Sequence, residues 1–488
     1  MLTREEVSTH ASRDSCWVII NNAAYNVTNF IDAHPGGAAI ILKYAGSDAT
    51  AAFEPVHASD TLEKYLTSEQ CLGPVEALAA TASNSNTNGW ASSTSVVVPA
   101  GRRAPRLSSM ISISDFTSAA QNILPPTSFA FLSTGAEDNQ ALEWNRRSWQ
   151  AVRLRPRVLR PIAQLDMKRT ILGAKFKLPL IICPAGGAKL CHPEGDVLLT
   201  EAAGDNGILH CVCNNAGRSQ VDIAAARREG QVLFWQIYAM KNLKLTEAEI
   251  NRAVEMGFGG VALTVDAIWA GKREGDLRAR LKEEEEEAAG EADTEDEEAF
   301  RREPAVRRPP VYADFTFESA IRWLRSITNL PIAIKGIQCW EDAAVCMQFG
   351  VHPWLSNHGG RQLDGAPSSV ETLIDIRTHC PEVLQRCEVI VDGGVTRGSD
   401  VVKALALGAR AVGVGRGFLY SMVFGRRGVN QAVQILKHEI ETTMALLGVQ
   451  TLDELGPQHV GPQICHVSSC THLLQVDIRA LAGVSARL

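Results

Sequence analysis

Eight short apolar runs, each closing on polar or glycine-rich residues, punctuate the later part of the chain: LPLIICPA, GILHCVC, VLFWQIY, GVALTVD, LPIAIKG, HPWLSNH, EVIVDGG and AVGVGR. Runs this short and β-rich, alternating with helical stretches, predict strands. Strand and helix in repeated alternation predict an α/β fold, a (β/α)8 TIM barrel over residues 109–488, with reactive residues gathered where the strands end. One interval breaks the rhythm. Between the fourth and fifth runs stands LKEEEEEAAGEADTEDEEAFRREP, whose Glu283 to Glu287 repel one another and favour water. A solvated loop is expected there, emerging on the catalytic face where it could serve as a lid.

Residues 1–76 read differently, as a compact mixed segment with aromatic anchors at Trp17, Tyr25, Phe30, Tyr44, Phe53 and Tyr65. From 77 to 108 the chain becomes Ala/Ser/Thr/Asn-rich (ALAATASNSNTNGWASSTS), too poor in apolar anchors to order itself. A flexible linker between two domains is expected.

Composition narrows the partners. A length of 488 residues calls for two or three domains, and 45% hydrophobic residues support sizeable cores. The net charge of −7 gives no general attraction to nucleic acid or anionic membrane, and no apolar stretch reaches the roughly 20 residues of a membrane helix. Twelve cysteines without a Cys-x-x-Cys pair suit a reducing compartment. The beginning, MLTREEVSTH, shows neither a signal h-region nor an Arg-rich transit segment. At the other end Ala486-Arg487-Leu488 is related to the Ser-Lys-Leu peroxisomal signal, which leaves peroxisome and cytoplasm as expected locations.

Two clusters carry candidate chemistry. In SNHGGRQLDG (356–365), His358 can move a proton near neutral pH, and Arg361 offers a planar fork of donors to a carboxylate. By itself such a pair is far more often a structural turn with a surface ion pair. In the first segment, His34 of HPGG and His57 flank the helical stretch AAIILKYAGSDATAAF, which could bring two imidazoles face to face. Two opposed imidazoles provide both axial ligands of a haem iron and leave no open position, which suits electron transfer. His10, without a partner at ligand spacing, is read as a surface residue.

CWVIINNAAYNVTNFIDAHPGG followed by His57 resembles a cytochrome b5-type haem domain, a small α+β fold, over residues 1–76. SNHGGRQLDG, DGGVTRG and LALGARAVGVGR resemble the FMN-dependent 2-hydroxy acid oxidases and dehydrogenases over nearly all of residues 109–488. The order haem domain, linker, flavin barrel is that of the flavocytochrome b2 type. The resemblance implies FMN and haem b as cofactors, with His34 and His57 as iron ligands. It implies oxidation of a 2-hydroxy acid, with electrons passing from FMN to haem and on to an acceptor protein such as cytochrome c. An oxidase delivering electrons to oxygen, and a haem-bearing electron-transfer module with a non-catalytic barrel, remain alternatives. A homo-oligomer, a tetramer in the family, and a mitochondrial intermembrane location also follow by analogy.

Residue roles implied by the resemblance fall at strand ends. His358 would accept a substrate proton, Asp266 would hold the imidazolium, Arg361 and Arg273 would face the carboxylate and the developing charge, and Tyr238 would donate a hydrogen bond. Lys335 would lie at the flavin edge where negative charge collects on reduction. Pro184, Ala185, Gly186, Cys213, Gln236, Thr264 and Ser356 would touch the flavin ring or ribityl chain. Asp392, Gly393, Gly394, Arg397, Gly415 and Arg416 would serve the phosphate end.

The chain also departs from the family. FAFLSTGAEDN places Phe131 where a substrate-binding tyrosine is usual, and losing a hydrogen bond to a charged group costs about 1.5–3 kcal/mol. Pro184 to Gly187 read PAGG in place of Pro-Thr-Ala, Cys213 replaces a serine, and Thr396 occupies a frequent phosphate-binding arginine position that Arg397 or Arg416 could cover. These changes enlarge or depolarise the pocket and spare the proton-transfer pair. An altered choice of acid, lactate-like or larger, is expected.

Overall fold

A computed structural model describes residues 1–34, 38–76, 105–288 and 311–461. The first part holds a four-stranded antiparallel sheet, Ala11–Ser12 (β1), Ser15–Ile20 (β2), Ala23–Asn26 (β3) and Cys71–Pro74 (β4), in that order. Its sides are sorted by a period of two. Cys16, Val18 and Ile20 face a cluster with Phe30, Ile41, Tyr44 and Phe53, while Trp17 and Ile19 turn to Val7, Ala24 and Val75. His10 is not a free surface residue: its ring stacks on Trp17 at 3.6 Å between centroids, and its Nδ1 lies 2.6 Å from the Ser15 hydroxyl. An indole next to an imidazole gains more by stacking than either does in water. Of the expected linker, only residues 105–108 are described, and Pro35–Gly37 also lie outside the described residues.

The eight apolar runs become the eight strands of a closed parallel barrel, following a hairpin of Arg169–Ile171 (β5) and Ala174–Phe176 (β6). The barrel strands are Leu180–Ile182 (β7), Leu209–Cys213 (β8), Leu233–Ile237 (β9), Gly260–Thr264 (β10), Ile332–Ile337 (β11), His352–Leu355 (β12), Ile390–Val391 (β13) and Ala411–Val414 (β14). Each pairs with its sequence neighbour, and β14 closes on β7 through Val412, Gly413 and Val414. Ile181, Leu209, Cys211, Phe234, Ala262, Ala333, Trp354, Ile390 and Ala411 fill the interior, and Ile171, Leu172 and Phe176 of the hairpin join them. Large side chains on some strands meet small ones on others, so the barrel is solid below its mouth.

Amphipathic helices wrap the outside. In Gly425–Leu447 the buried residues Val429, Ala432, Val433, Leu436, Ile440, Met444 and Leu447 recur at helical spacing, each large aliphatic contributing about 1.5–3 kcal/mol of burial. The acidic interval departs from the expected loop. Its first part is the helix Glu274–Ala288, carried by (i, i+4) pairs Glu274–Arg278, Asp276–Arg280 and Lys282–Glu286 that offset the repulsion of the glutamate run. Residues 289–310 and the terminal tripeptide lie outside the described residues. No helix among the described residues is long and apolar enough to cross a membrane, and the cysteines described there are free thiols.

Candidate active site

β12 runs directly into SNHGGRQLDG, so this decapeptide stands at the barrel mouth. His358 takes a left-handed backbone (φ 57°), uncommon for a residue with a Cβ and frequent where a site is held in tension. Gly359 and Gly360 continue the turn with positive φ. A Cβ on Gly360 would stand 2.5 Å from the Leu142 backbone nitrogen. Only glycine permits that approach.

The turn brings His358 Nδ1 to 2.9 Å from Asp266 Oδ1, across 92 residues of sequence. The Asp266 side chain is 3% exposed. Burial raises its carboxyl, but His358 and then Lys335 outweigh this and hold it below the usual carboxylate range. An ionised Asp266 can therefore receive an Nδ1–H, leaving Nε2 of the imidazole as the proton acceptor. Among the described residues the other oxygen, Oδ2, is buried without a hydrogen-bond partner, as is Nε of Arg273. Unmatched polar atoms at one mouth fit a site made for a polar ligand.

Arg361 and Arg273 meet over one aromatic ring. Their guanidinium carbons lie 5.3 Å and 5.9 Å from the Phe131 centroid. Arg361 Nη1 also donates to the carbonyl of Thr134 at 2.8 Å. Burial, then Arg273 and Arg416, push Arg361 well below the ordinary guanidinium range. Cations gathered this way favour an anion between them. Tyr238 directly follows β9 at the barrel mouth, where burial, then Cys213 and Asp266, raise its phenol well above the ordinary range, so it keeps its proton at neutral pH.

A second network lies beneath. Lys335 Nζ donates to Ser356 Oγ at 2.9 Å and lies 3.3 Å from Asp392 Oδ2, while Ser356 Oγ and Trp354 Nε1 donate to Asp392 at 2.7 Å and 2.9 Å. Burial alone would lower the Lys335 ammonium, but Asp392 and Asp266 hold it above its ordinary value. On the neighbouring strand ends Gln236 Nε2 donates to Thr264 Oγ1 at 3.0 Å, and the buried Cys213 thiol is pushed up to about 12 by burial. Pro184, Ala185 and Gly186 form the loop leaving β7, and a Cβ on Gly186 would meet nothing closer than the Asn215 carbonyl at 3.6 Å. This ring of neutral donors with one central cation fits FMN.

The proposed phosphate end is less uniform. Gly393 and Gly394 turn with φ of 95° and 72°, and Gly415 opens the helix Arg416–Ser421. Arg416 Nη2 donates to the Gly359 carbonyl at 2.6 Å. Arg397 is engaged elsewhere. Its side chain is half exposed and pairs with Glu439 at 2.8 Å, because Arg397 caps a helix that packs on Gly425–Leu447. Of the two arginines considered as replacements at Thr396, only Arg416 turns to the mouth.

In the first domain the His34 and His57 rings face each other with centroids 5.9 Å apart. Two metal–nitrogen bonds of about 2 Å, plus about 1 Å from each nitrogen to its ring centre, require roughly this separation. His57 Nδ1 lies 3.0 Å from the Phe53 carbonyl, which accepts its proton and leaves Nε2 as the ligand atom. Burial lowers the His57 imidazole to about 4 and keeps it neutral. The pair fits a bis-imidazole iron.

Several supporting residues were missed in the sequence, although SNHGGRQLDG contains most of them. Asn357 exchanges amide hydrogen bonds of 2.7 Å and 2.9 Å with Asn145, and Gln362 donates to the carbonyls of Asp266 and Trp269 at 2.5 Å and 2.8 Å. Asp364 accepts backbone N–H groups of Asp138, Gln140 and Ala141, fixing the start of the helix Gln140–Ala151. For Gln362 and Asp364 the available signal was a polar side chain between Gly360 and Gly365.

Comparison with known proteins agrees with the two domains. Residues 120–462 match the FMN-dependent dehydrogenase family, and residues 3–76 match the cytochrome b5-like heme/steroid binding domain. The chain is 37% identical over 470 residues to an L-lactate dehydrogenase (cytochrome) of Wickerhamomyces anomalus, covering 95% of this chain and 80% of that protein. It is 36% identical over 359 residues to a peroxisomal (S)-2-hydroxyacid oxidase of Arabidopsis thaliana, covering 72% of this chain and 96% of the relative. Among solved structures, the flavin-binding domain of baker's yeast flavocytochrome b2 superposes with a TM-score of 0.67 at 31% identity, covering 73% of this chain and 88% of that one. With a haem-binding domain ahead of a flavin barrel and similarity along both, the chain belongs to the FMN-dependent dehydrogenase family, in its flavocytochrome b2-like branch.

Proposed function

We propose that the protein oxidises an L-2-hydroxy acid to the 2-oxo acid and delivers the electrons, through its haem domain, to an acceptor protein such as cytochrome c. The carrying observation is the His358–Asp266 pair at 2.9 Å beside Arg361 and Arg273. When bound, FMN takes two electrons from each hydroxy acid and haem b relays them one at a time, so two one-electron acceptors are consumed and two protons released. Pro184, Ala185, Gly186, Cys213, Gln236, Thr264, Lys335, Ser356, Asp392, Gly393, Gly394, Gly415 and Arg416 would hold the flavin, and His34 and His57 the iron.

Arg361 and Arg273 grip the substrate carboxylate and fix the carbinol carbon against the cofactor. His358 Nε2 takes one of the two substrate protons, and Asp266 stabilises the resulting imidazolium. Tyr238, held protonated, donates to the bound acid. Phe131 contributes a ring face where the family uses a phenol, so the two arginines carry more of the carboxylate recognition and the acid's side chain is less restricted. Anaerobic titration with L-lactate, glycolate, L-mandelate and longer L-2-hydroxy acids tests this reading. At least one should bleach the flavin band while its D-enantiomer, where one exists, does not. Failure of every acid with FMN bound would contradict it, and peroxide as the main reduced product in air would favour the oxidase reading.

A further inference from the structure

The loop that leaves β7 and supplies Pro184, Ala185 and Gly186 continues into the short helix Ala188–Cys191, which carries Lys189. The path of this side chain is unusual. An added Cβ on Gly217 would stand 2.5 Å from Lys189 Cγ and Cδ, and one on Gly195 would stand 3.1 Å from Cγ, so the aliphatic stem runs through a slot walled by two glycines. A side chain at Gly217 would block the slot, and one at Gly195 would crowd it.

Beyond the slot the ammonium reaches the other domain. Lys189 Nζ donates to the His57 backbone carbonyl at 3.0 Å and to the Glu54 carbonyl as well. These carbonyls lie just beyond the helical turn Thr50–Phe53, where backbone acceptors lack helical partners and a cation is favoured. The same turn orients His57, since Phe53 stacks on its ring at 4.2 Å and accepts from Nδ1. Further along the same domain, burial and then the charges of Glu249 and Cys213 raise the Tyr65 phenol, and Lys64 acts to lower the Glu249 carboxyl against its burial. Glu249 is 6% exposed and accepts from Trp235 Nε1 at 3.1 Å.

We propose that Lys189 is a docking pin and positioning residue: held in its glycine slot, it seats the His57 turn on the flavin-side loop and thereby sets the distance over which electrons leave the barrel. This rests on the proposed transfer from FMN to haem for its consequence, but not for the docking itself. The loop that borders the flavin site is then also the loop that touches an iron-ligand residue. No separate element has to move for the two centres to stay in register.

The test uses the full-length holoprotein and the variants Lys189→Met and Lys189→Arg. Methionine keeps the apolar stem in the slot and removes the ammonium, whereas arginine keeps a cationic donor. Hydrogen–deuterium exchange is followed in peptides spanning residues 53–65, with peptides spanning residues 15–26 as an internal reference. Loss of hydrogen bonds to a charged group should make Lys189→Met exchange about tenfold faster in the first set only, with Lys189→Arg close to the parent. In anaerobic rapid mixing, Lys189→Met should reduce its flavin within about twofold of the parent rate and its haem about tenfold more slowly. Parent-like exchange in Lys189→Met, equal disturbance by both variants, or flavin reduction slowed together with haem reduction would overturn the proposal. If no hydroxy acid reduces the parent's flavin, the functional reading fails, and the exchange comparison still decides the docking.

Discussion

Replacing Asp266 by Asn removes the charge facing His358 while keeping shape and one hydrogen-bonding oxygen. The carboxylate and the imidazolium formed during turnover are in direct contact at 2.9 Å, in a place where Asp266 is nearly sealed from water. Opposite charges about 4 Å apart between centres attract by about 4 kcal/mol at an effective dielectric constant of about 20. A neutral amide retains about 1 kcal/mol of this as an ordinary hydrogen bond. The remaining ~3 kcal/mol belongs to the state in which His358 has gained its proton, so the rate of flavin reduction should fall about 100-fold. Substrate affinity should hardly change, because Arg361 and Arg273 bind the carboxylate without help from Asp266. The assay is single-turnover anaerobic mixing over a range of hydroxy acid concentrations, reading flavin absorbance for both the limiting rate and the dissociation constant. A limiting rate within about threefold of the parent would refute the reasoning, as would a loss confined to the dissociation constant.

Three further outcomes follow from other parts of the structure. Phe131→Tyr places a phenol between the two arginines and should tighten binding of lactate by about ten- to hundredfold, measured as the dissociation constant in the same assay; no change would show that the ring does not face the carboxylate. His57→Ala should abolish the haem Soret band and leave flavin content and flavin bleaching intact, because the two domains have separate hydrophobic clusters. Asp196 is fully enclosed, and burial raises its carboxyl to about 7, while His210 beside it is lowered to about 3 by burial and brings no compensating charge. A raised acid stabilises the fold below its unfolded value and loses that contribution as pH climbs. The stability of the parent relative to Asp196→Asn should therefore fall between about pH 4 and pH 7, by about 4 kcal/mol at most, in denaturant melts across that range. A difference that rises with pH would contradict the assignment.

The barrel was legible because its signal is periodic and local: eight apolar runs gave eight strands in the expected order. The candidate roles at the barrel mouth came instead from the family resemblance; in the fold Asp266, Ser356 and Asp392 follow strands and Lys335 lies within β11. The remainder depends on contacts across the fold. Nothing near Arg397 in sequence announces Glu439, which takes its guanidinium, and the pair arises only where two helices pack. The glutamate run suggested a loop because like charges dominate it, but Arg278, Arg280 and Lys282 stand one turn from acidic partners and let a helix form. Nothing beside Lys189 in the sequence marks it. Its meaning comes from Gly195 and Gly217 and from a carbonyl 132 residues away.

The order of events after a single anaerobic mixing of full-length protein with a reducing L-2-hydroxy acid tests the account most directly, with flavin and haem followed at separate wavelengths. The flavin should bleach first and the haem should become reduced afterwards, at a rate independent of protein concentration because both centres belong to one chain. Persistent oxidised haem beside reduced flavin, or haem reduction that scales with protein concentration, would contradict the intramolecular route from His358 and the flavin barrel to the His34–His57 pair.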